Sequence, residues 1–318
     1  AAASTSRTED SAPLVVPVAP GMAAAAASNP LAVRQPVVDA AATGILMSKR
    51  GTSSVMSAFW ELDPDDKRGT FHFMSYRPNF FLPAHYTSHV NRMPSSPTPG
   101  RTGTVPNYRN YESKFRVSIR TKVVEGLVIP NADLWVAYTQ TSFWQLWNRA
   151  ESSPFRSTDH EPEAMLVVAM PPKLRDLLPG DVKFRMLQLG IAHQSNGQTV
   201  PFSRSWNRLY AGAGFERGDV GLTVVANKRL KEDLDDDDNP DLAYWRGRGE
   251  VTLTWTPGRA TAALMWRTSL NGFKRGSWQF DYSYPVNADK PKGLRWYVQL
   301  FHGYGESLID YNFRQTTA

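Results

Sequence analysis

The stretch KFRVSIRTKV, residues 114–123, alternates with a period of two. Phe115, Val117, Ile119 and Val123 fall on one face, and Lys114, Arg116, Ser118, Arg120 and Lys122 on the other. A strand written this way has one dry face and one distinctly polar one. The same alternation recurs in DLWVAYTQT (133–141), where Leu134, Val136 and Tyr138 share a face, and in LRWYVQL (294–300), where Leu294, Trp296, Val298 and Leu300 do. Comparable stretches lie near 70–86, 160–171, 181–195, 205–216, 218–229, 243–256, 260–269, 275–285 and 306–318. Turn residues such as PGDV, ERGDV, TPGRA and NADKPKG separate them. About twelve strands in a regular meander predict an all-β protein, closed into a barrel or folded as a sandwich. The pattern alone is met equally by a soluble barrel with its apolar face inward and by a membrane barrel with a hydrated lumen.

Composition narrows the classes. The chain has 318 residues, 36 Lys+Arg against 30 Asp+Glu, and no cysteine. Disulfides, zinc thiolates and cysteine nucleophiles are thereby excluded, and the composition suits passage through an oxidising periplasm. The basic residues are dispersed rather than striped, which argues against a nucleic-acid partner; a weak preference for an anionic membrane surface is equally compatible. No apolar run approaches the ~20 residues of a membrane helix. A mean hydropathy below zero does not exclude a barrel, because alternating strands average out. Aromatic residues make up 12% of the chain, and girdles at two membrane interfaces are one explanation of that richness. Residues 1–50 are rich in Ala, Pro, Ser and Val with little periodicity and read as a mobile tail; residues 51–318 are the β domain. No basic-then-apolar leader is visible in the first thirty positions, so the expectation is a mature or cytoplasmic chain.

In LQLGIAHQSNG (187–197) an apolar face of Leu187, Leu189 and Ile191 ends in His193 and Ser195. The next strand, SRSWNRLYAGAGF, carries Asn207, Leu209, Ala211, Ala213 and Phe215 on one face. A hairpin centred near residue 200 opposes 187 with 213, 189 with 211 and 193 with 207, apolar face to apolar face. It sets His193 beside Asn207, with Cβ atoms ~4.5–5.5 Å apart, and Ser195 two residues along the same face. That is a nucleophile, its base, and an orienter for the base. The Gly197 amide, just beyond, is free to face an oxyanion. Taken by itself, a His-x-Ser pair in a strand is more often without chemical meaning; the cross-strand asparagine and the polar break in an oily face are what raise the catalytic reading.

At these residues the chain resembles the outer membrane phospholipase A family of Gram-negative bacteria. The matching segments are YTQTSFWQLWN (138–148), ESSPFR (151–156), HQSNG (193–197), SRSWNRLY (203–210), DDNPD (237–241) and GYGESLIDYNF (303–313). The resemblance implies a twelve-stranded antiparallel barrel in the outer membrane with its catalytic residues on the lipid-facing wall. It implies Ser195 as nucleophile, His193 as base, Asn207 as orienter and Gly197 as oxyanion donor. It further implies calcium, at Ser152, Gln198 (through its carbonyl), Ser203 and Asp238, with Ser152 serving the ion of a partner subunit. The expected partners are phospholipid substrate and a second copy of the chain, with Gln140 at the dimer interface. The implied reaction is hydrolysis of sn-1 and sn-2 acyl esters of phospholipids and lysophospholipids.

The chain departs from the family's pattern at four places. Gln194 stands where the family commonly has Asp, and its parity turns it away from the triad. Val200 replaces an acidic residue, which weakens the expected calcium site; Gln198 replaces a basic one. The chain ends at YNFRQTTA, where the family continues to a terminal aromatic residue, so a shortened closing strand is expected. The competing class is a non-catalytic outer-membrane barrel, a channel or structural protein that retains the motif. The acidic run EDLDDDDNPD (232–241) reads as a solvated loop in which Asp238 alone has a specific role.

Overall fold

Alternation of apolar and polar side chains is realised as one antiparallel sheet that curls into a ring. The structure is a computed structural model and describes residues 54–233, 237–270 and 274–318; the tail expected over 1–50 lies outside the described residues. A short helix, α1 (Val55–Trp60), precedes β1 (Met74–Ser75) and β2 (Phe80–Tyr86), which both pair with β3 (Tyr111–Val124). The wall continues through β4 (Ala132–Trp144), β5 (Ser157–Ala169), β6 (Lys183–Ser195), β7 (Ser205–Arg217), β8 (Val220–Arg229), β9 (Gly249–Trp255), β10 (Thr261–Thr268), β11 (Gly276–Pro285), β12 (Arg295–Gly303) and β13 (Gln315–Thr317), each beside its sequence neighbour. With β1 and β2 taken as one interrupted strand, the sheet has twelve positions, as expected. A single-turn helix, α2 (Pro172–Arg175), lies between β5 and β6, and another, α3 (Leu242–Arg246), between β8 and β9.

The seam is short. Thr317 pairs with Phe301 on one side and forms a bridge with Thr87 on the other. Tyr86 N–H donates to the Ala318 carbonyl at 2.8 Å and receives the reciprocal bond at 3.0 Å. The closing strand is thus brief, yet it ties β12 to the end of β2.

Apolar side chains point outward. Leu187, Leu189, Ile191, Leu209, Leu253, Leu264, Val298 and Leu300 are all exposed. In water such a belt is a large penalty; against hydrocarbon it is the favourable arrangement. Trp255, Tyr282, Tyr284 and Trp296 cluster toward the end with the short turns, and Tyr86, Tyr111, Trp147 and Trp278 toward the end with the long loops, which supplies an aromatic belt at each level. No helix among the described residues is long and apolar enough to cross a membrane. The interior is polar and charged: Lys114, Ser118, Arg120, Glu161, Glu163, Arg208 and Gln299 are buried there.

α1 fills part of this lumen. Ser54 caps it by accepting from Ser57 N–H at 2.9 Å, and Glu216 accepts from Met56 N–H at 3.0 Å. Trp60 meets Trp135 edge-on with centroids 5.8 Å apart. The Arg120 guanidinium lies 3.6 Å from the Phe59 ring centroid and 4.4 Å from that of Trp60, a cation–π stack that offsets the burial of a charge. A cavity of about 340 Å³ remains, lined by groups that include Arg77, Arg116, Glu163, Arg246 and Tyr297.

Four expectations need correction. Residues 306–318 are not one strand: Gln315–Thr317 alone is extended. Leu308 and Tyr311 instead turn inward to pack with Trp206 and Leu242, because Asp159 receives the Leu308 N–H at 2.8 Å and pins the turn. The stretch near 243–256 begins as α3, and β9 starts at Gly249. The strand near 70–86 is interrupted between Ser75 and Phe80, where Pro78 lacks an amide for the ladder. A register shift after Lys122 makes Val123 the extra residue, so Val124 takes the outward place opposite Leu134.

Candidate active site

The β6–β7 hairpin has the predicted register: Leu187 faces Ala213, Leu189 faces Ala211 and His193 faces Asn207. One close approach fixes its packing. A Cβ on Gly190 would stand 2.3 Å from the Tyr210 ring, so the phenol end of the ring occupies the space a side chain there would need. Register across the neighbouring strands forms two rungs on the outer wall. One holds Tyr138, Pro162 and, across the hairpin, His193 and Asn207; the other holds Gln140, His160, Ser195 and Ser205. The β5–β6 pairing skips Glu161 and Pro162, as expected where a proline supplies no N–H.

His193 is exposed on this wall, and Ser195 and Asn207 are half-buried. His193 Nδ1 and Asn207 Oδ1 are 2.9 Å apart. The amide has its direction fixed from behind, because Asn207 Nδ2 donates to Glu232 Oε1 at 2.9 Å. A carboxylate accepts and cannot donate, so Oδ1 must face the ring and His193 Nδ1 must carry the proton. That leaves the Nε2 lone pair free to accept a proton. Ser195 and Nε2 form no hydrogen bond among the described residues; such bonds commonly tighten when substrate binds. Gly197 has φ of 62°, a left-handed conformation suited to glycine. Gln194 turns inward as expected, accepting from Trp206 Nε1 at 2.9 Å.

The four residues expected to hold calcium are brought together in part. Ser203 Oγ donates to Asp238 Oδ2. The Gln198 carbonyl and the Ser152 hydroxyl engage no hydrogen bond among the described residues, while the Ser152 carbonyl accepts from Trp144 Nε1 at 2.7 Å. Hydroxyl, carbonyl and carboxylate oxygens are the donors a hard cation takes, so the residue types fit. The described residues contain no cluster of three or more acidic or histidine ligands, so the site rests on one carboxylate. That carboxylate already has a cation: Arg101 Nε lies 2.5 Å from Asp238 Oδ1. Gln140, expected at a dimer interface, finds partners within the chain, donating to Ser142 Oγ at 3.2 Å and lying 3.4 Å from the Tyr138 hydroxyl.

The family model of phospholipase A1 matches residues 56–318. The chain belongs to the phospholipase A1 family. The putative phospholipase A1 of Neisseria meningitidis serogroup B is 39% identical over 268 residues, covering 82% of this chain and 67% of the relative. The phospholipase A1 of Escherichia coli K12 is 38% identical over 214 residues, 66% of this chain and 68% of the relative. Among solved structures, outer membrane phospholipase A from Escherichia coli aligns with a TM-score of 0.66 at 33% identity, over 77% of this chain and 91% of that one. A Salmonella typhi outer membrane phospholipase dimer with bound calcium aligns with a TM-score of 0.66 at 34% identity, over 78% and 90%.

Within this phospholipase A1 family member, sequence reasoning missed three residues. Glu232 was assigned to a solvated loop, yet it directs Asn207. Asp237 is buried and accepts from Arg229 at 2.6 and 2.7 Å. His160 was passed over, although Ala164, Leu166 and Val168 put it on the outward face by the same parity that singled out His193.

Proposed function

We propose that the protein is a calcium-dependent phospholipase of the outer membrane that hydrolyses sn-1 and sn-2 acyl esters of phospholipids and lysophospholipids and is activated by dimerisation. The observation that carries this reading is a histidine–asparagine pair, hydrogen-bonded and locked in one tautomer, beside a serine on an apolar outer wall. His193 Nε2 takes the Ser195 proton as Oγ attacks the ester carbonyl, and returns it to the departing lysolipid oxygen. Water then repeats the sequence in reverse on the acyl-enzyme. The Gly197 N–H faces the oxygen that gains charge. Gln198, Ser203 and Asp238, with Ser152 from a second copy, would hold calcium, which would supply positive charge and a polarised water to the developing oxyanion. Dimerisation then couples directly to chemistry, because one subunit completes the other's donor set.

The test is fatty-acid release from mixed phospholipid–detergent micelles, with calcium and with chelator, beside Ser195→Ala. Release that requires calcium and is abolished by the substitution supports the reading; release that survives Ser195→Ala ends it.

Arg101 gives a second prediction. Its carbonyl accepts from Arg204 Nη2 at 3.0 Å, and a Cβ on Gly103 would stand 2.6 Å from Pro201, so the 94–105 loop is clamped on the 197–204 loop. The guanidinium is therefore a tethered competitor for Asp238. Arg101→Ala is expected to tighten calcium binding by about tenfold, a change of ~1.4 kcal/mol, read by calorimetry in detergent. Equal affinities in the two proteins would remove Arg101 from the calcium site.

A further inference from the structure

Ser195 is flanked by two imidazoles. His193 lies two residues along its own strand, and His160 lies directly across on β5. Directly opposed residues have Cβ atoms ~4.5–5.5 Å apart. The rings are held in opposite senses. His193 is made a base by Asn207 and Glu232, as described. His160 Nδ1 lies 2.6 Å from the Tyr138 hydroxyl. The phenol has one proton to give, and its other acceptor, Gln140 Oε1, is 3.4 Å away. The short contact takes the proton, so Nδ1 accepts and Nε2 carries the ring N–H. That N–H has no hydrogen-bond partner among the described residues. It lies on the ring edge beside Gly197: a Cβ built there would stand 3.9 Å from His160 Cδ2 and 4.0 Å from Nε2.

We infer that His160 is a second oxyanion donor, acting with the Gly197 amide. The inference rests on the reading of Ser195 as nucleophile. As the Ser195 Oγ–carbon bond forms, the serine proton passes to His193 Nε2 and the carbonyl π pair moves to oxygen. That oxygen accepts from Gly197 N–H and His160 Nε2–H, and His160 keeps its proton throughout. When the pair returns, the ester C–O bond breaks and the leaving oxygen takes the proton from His193. Tyr138 is a positioning residue, because its hydroxyl sets the tautomer of His160. The division of labour follows from the third group behind each ring, an amide oxygen for the base and a hydroxyl for the donor.

The test compares wild type with His160→Phe, His160→Gln and Tyr138→Phe on a phospholipid and on a fatty-acyl ester that lacks phosphate. His160→Phe is expected to lower kcat about 10²-fold on both substrates with little change in KM, the usual effect of losing one oxyanion donor. His160→Gln, which keeps an N–H, is expected to recover part of the loss. Nitrogen-15 spectra of the wild type in micelles are expected to place the His160 proton on Nε2, and those of Tyr138→Phe to show a mixture of tautomers. Unchanged kcat in His160→Phe overturns the inference. So does a loss confined to KM or to the phosphate-bearing substrate, which would make the imidazole a headgroup contact. Heat-modifiable mobility on gels verifies that each variant is a folded barrel. If Ser195→Ala is inactive while His160→Phe is fully active, this inference alone fails; if Ser195→Ala is active, the underlying reading fails with it.

Discussion

His193→Ala and Ser195→Ala are each expected to lower kcat by about 10⁴-fold or more, and the double variant by no more than either single one. In the proposed mechanism the two act as one unit, so removing the second member after the first has nothing left to remove. Asn207→Ala is expected to cost less, about 10²-fold, because the asparagine fixes a tautomer without adding a charge. Glu232→Gln should fall between wild type and Asn207→Ala. A glutamine can present either end to Asn207, so the asparagine amide is no longer forced to aim its oxygen at His193. Initial rates in calcium-saturated micelles read all five. Additive losses for Ser195 and His193 would mean that they do not work together.

Glu306→Ala is expected to destabilise the barrel by about 3–5 kcal/mol, the cost of stripping one partner from a buried ion pair. Lys114 and Glu306 are 1% and 4% exposed, with Nζ 2.8 Å from the carboxylate. His85 Nε2 lies 2.9 Å away, and Thr317 Oγ1 donates at 2.9 Å, so this carboxylate braces the seam where β13 meets β2. Burial alone would raise its pKa, but Lys114 and His85 together hold it well below the usual carboxylate range. A depressed acid contributes stability that is fully present above the unfolded value, near pH 4.5, and is lost as pH falls through the folded value. The wild type should therefore lose stability in strong acid, and Glu306→Ala should show a flatter profile there. Urea titrations followed by tryptophan fluorescence measure both. A midpoint unchanged by the substitution would rule out a bracing role for Glu306.

The wall of the barrel was legible because one face had to be oily. Leu187, Leu189 and Ile191 fix a parity, and parity fixes the β6–β7 register without further information. His193 and Asn207 followed from it. Lumen contents were not legible in that way. α1 holds Met56, Phe59 and Trp60 in a span too short to show a helical period, and their partner Trp135 belongs to the polar face of β4 by alternation. The 306–314 segment has the right residues for a strand, and only the Asp159 carboxylate, far away in sequence, turns it. Glu232 and His160 were hidden for a related reason: each matters through a neighbour on another strand, and a single hairpin cannot reveal a third or fourth strand's register.

α1 lies inside a ring whose last joint is made by Thr317 and Thr87. A helix enclosed by a wall has few ways to arrive. Once β13 has paired, Trp60, wedged between Arg120 and Trp135, has no lateral route, so residues 54–60 reach their place either before the seam shuts or along the barrel axis. A sheet zipped from β3 to β12 alone is an open trough rather than a smaller barrel.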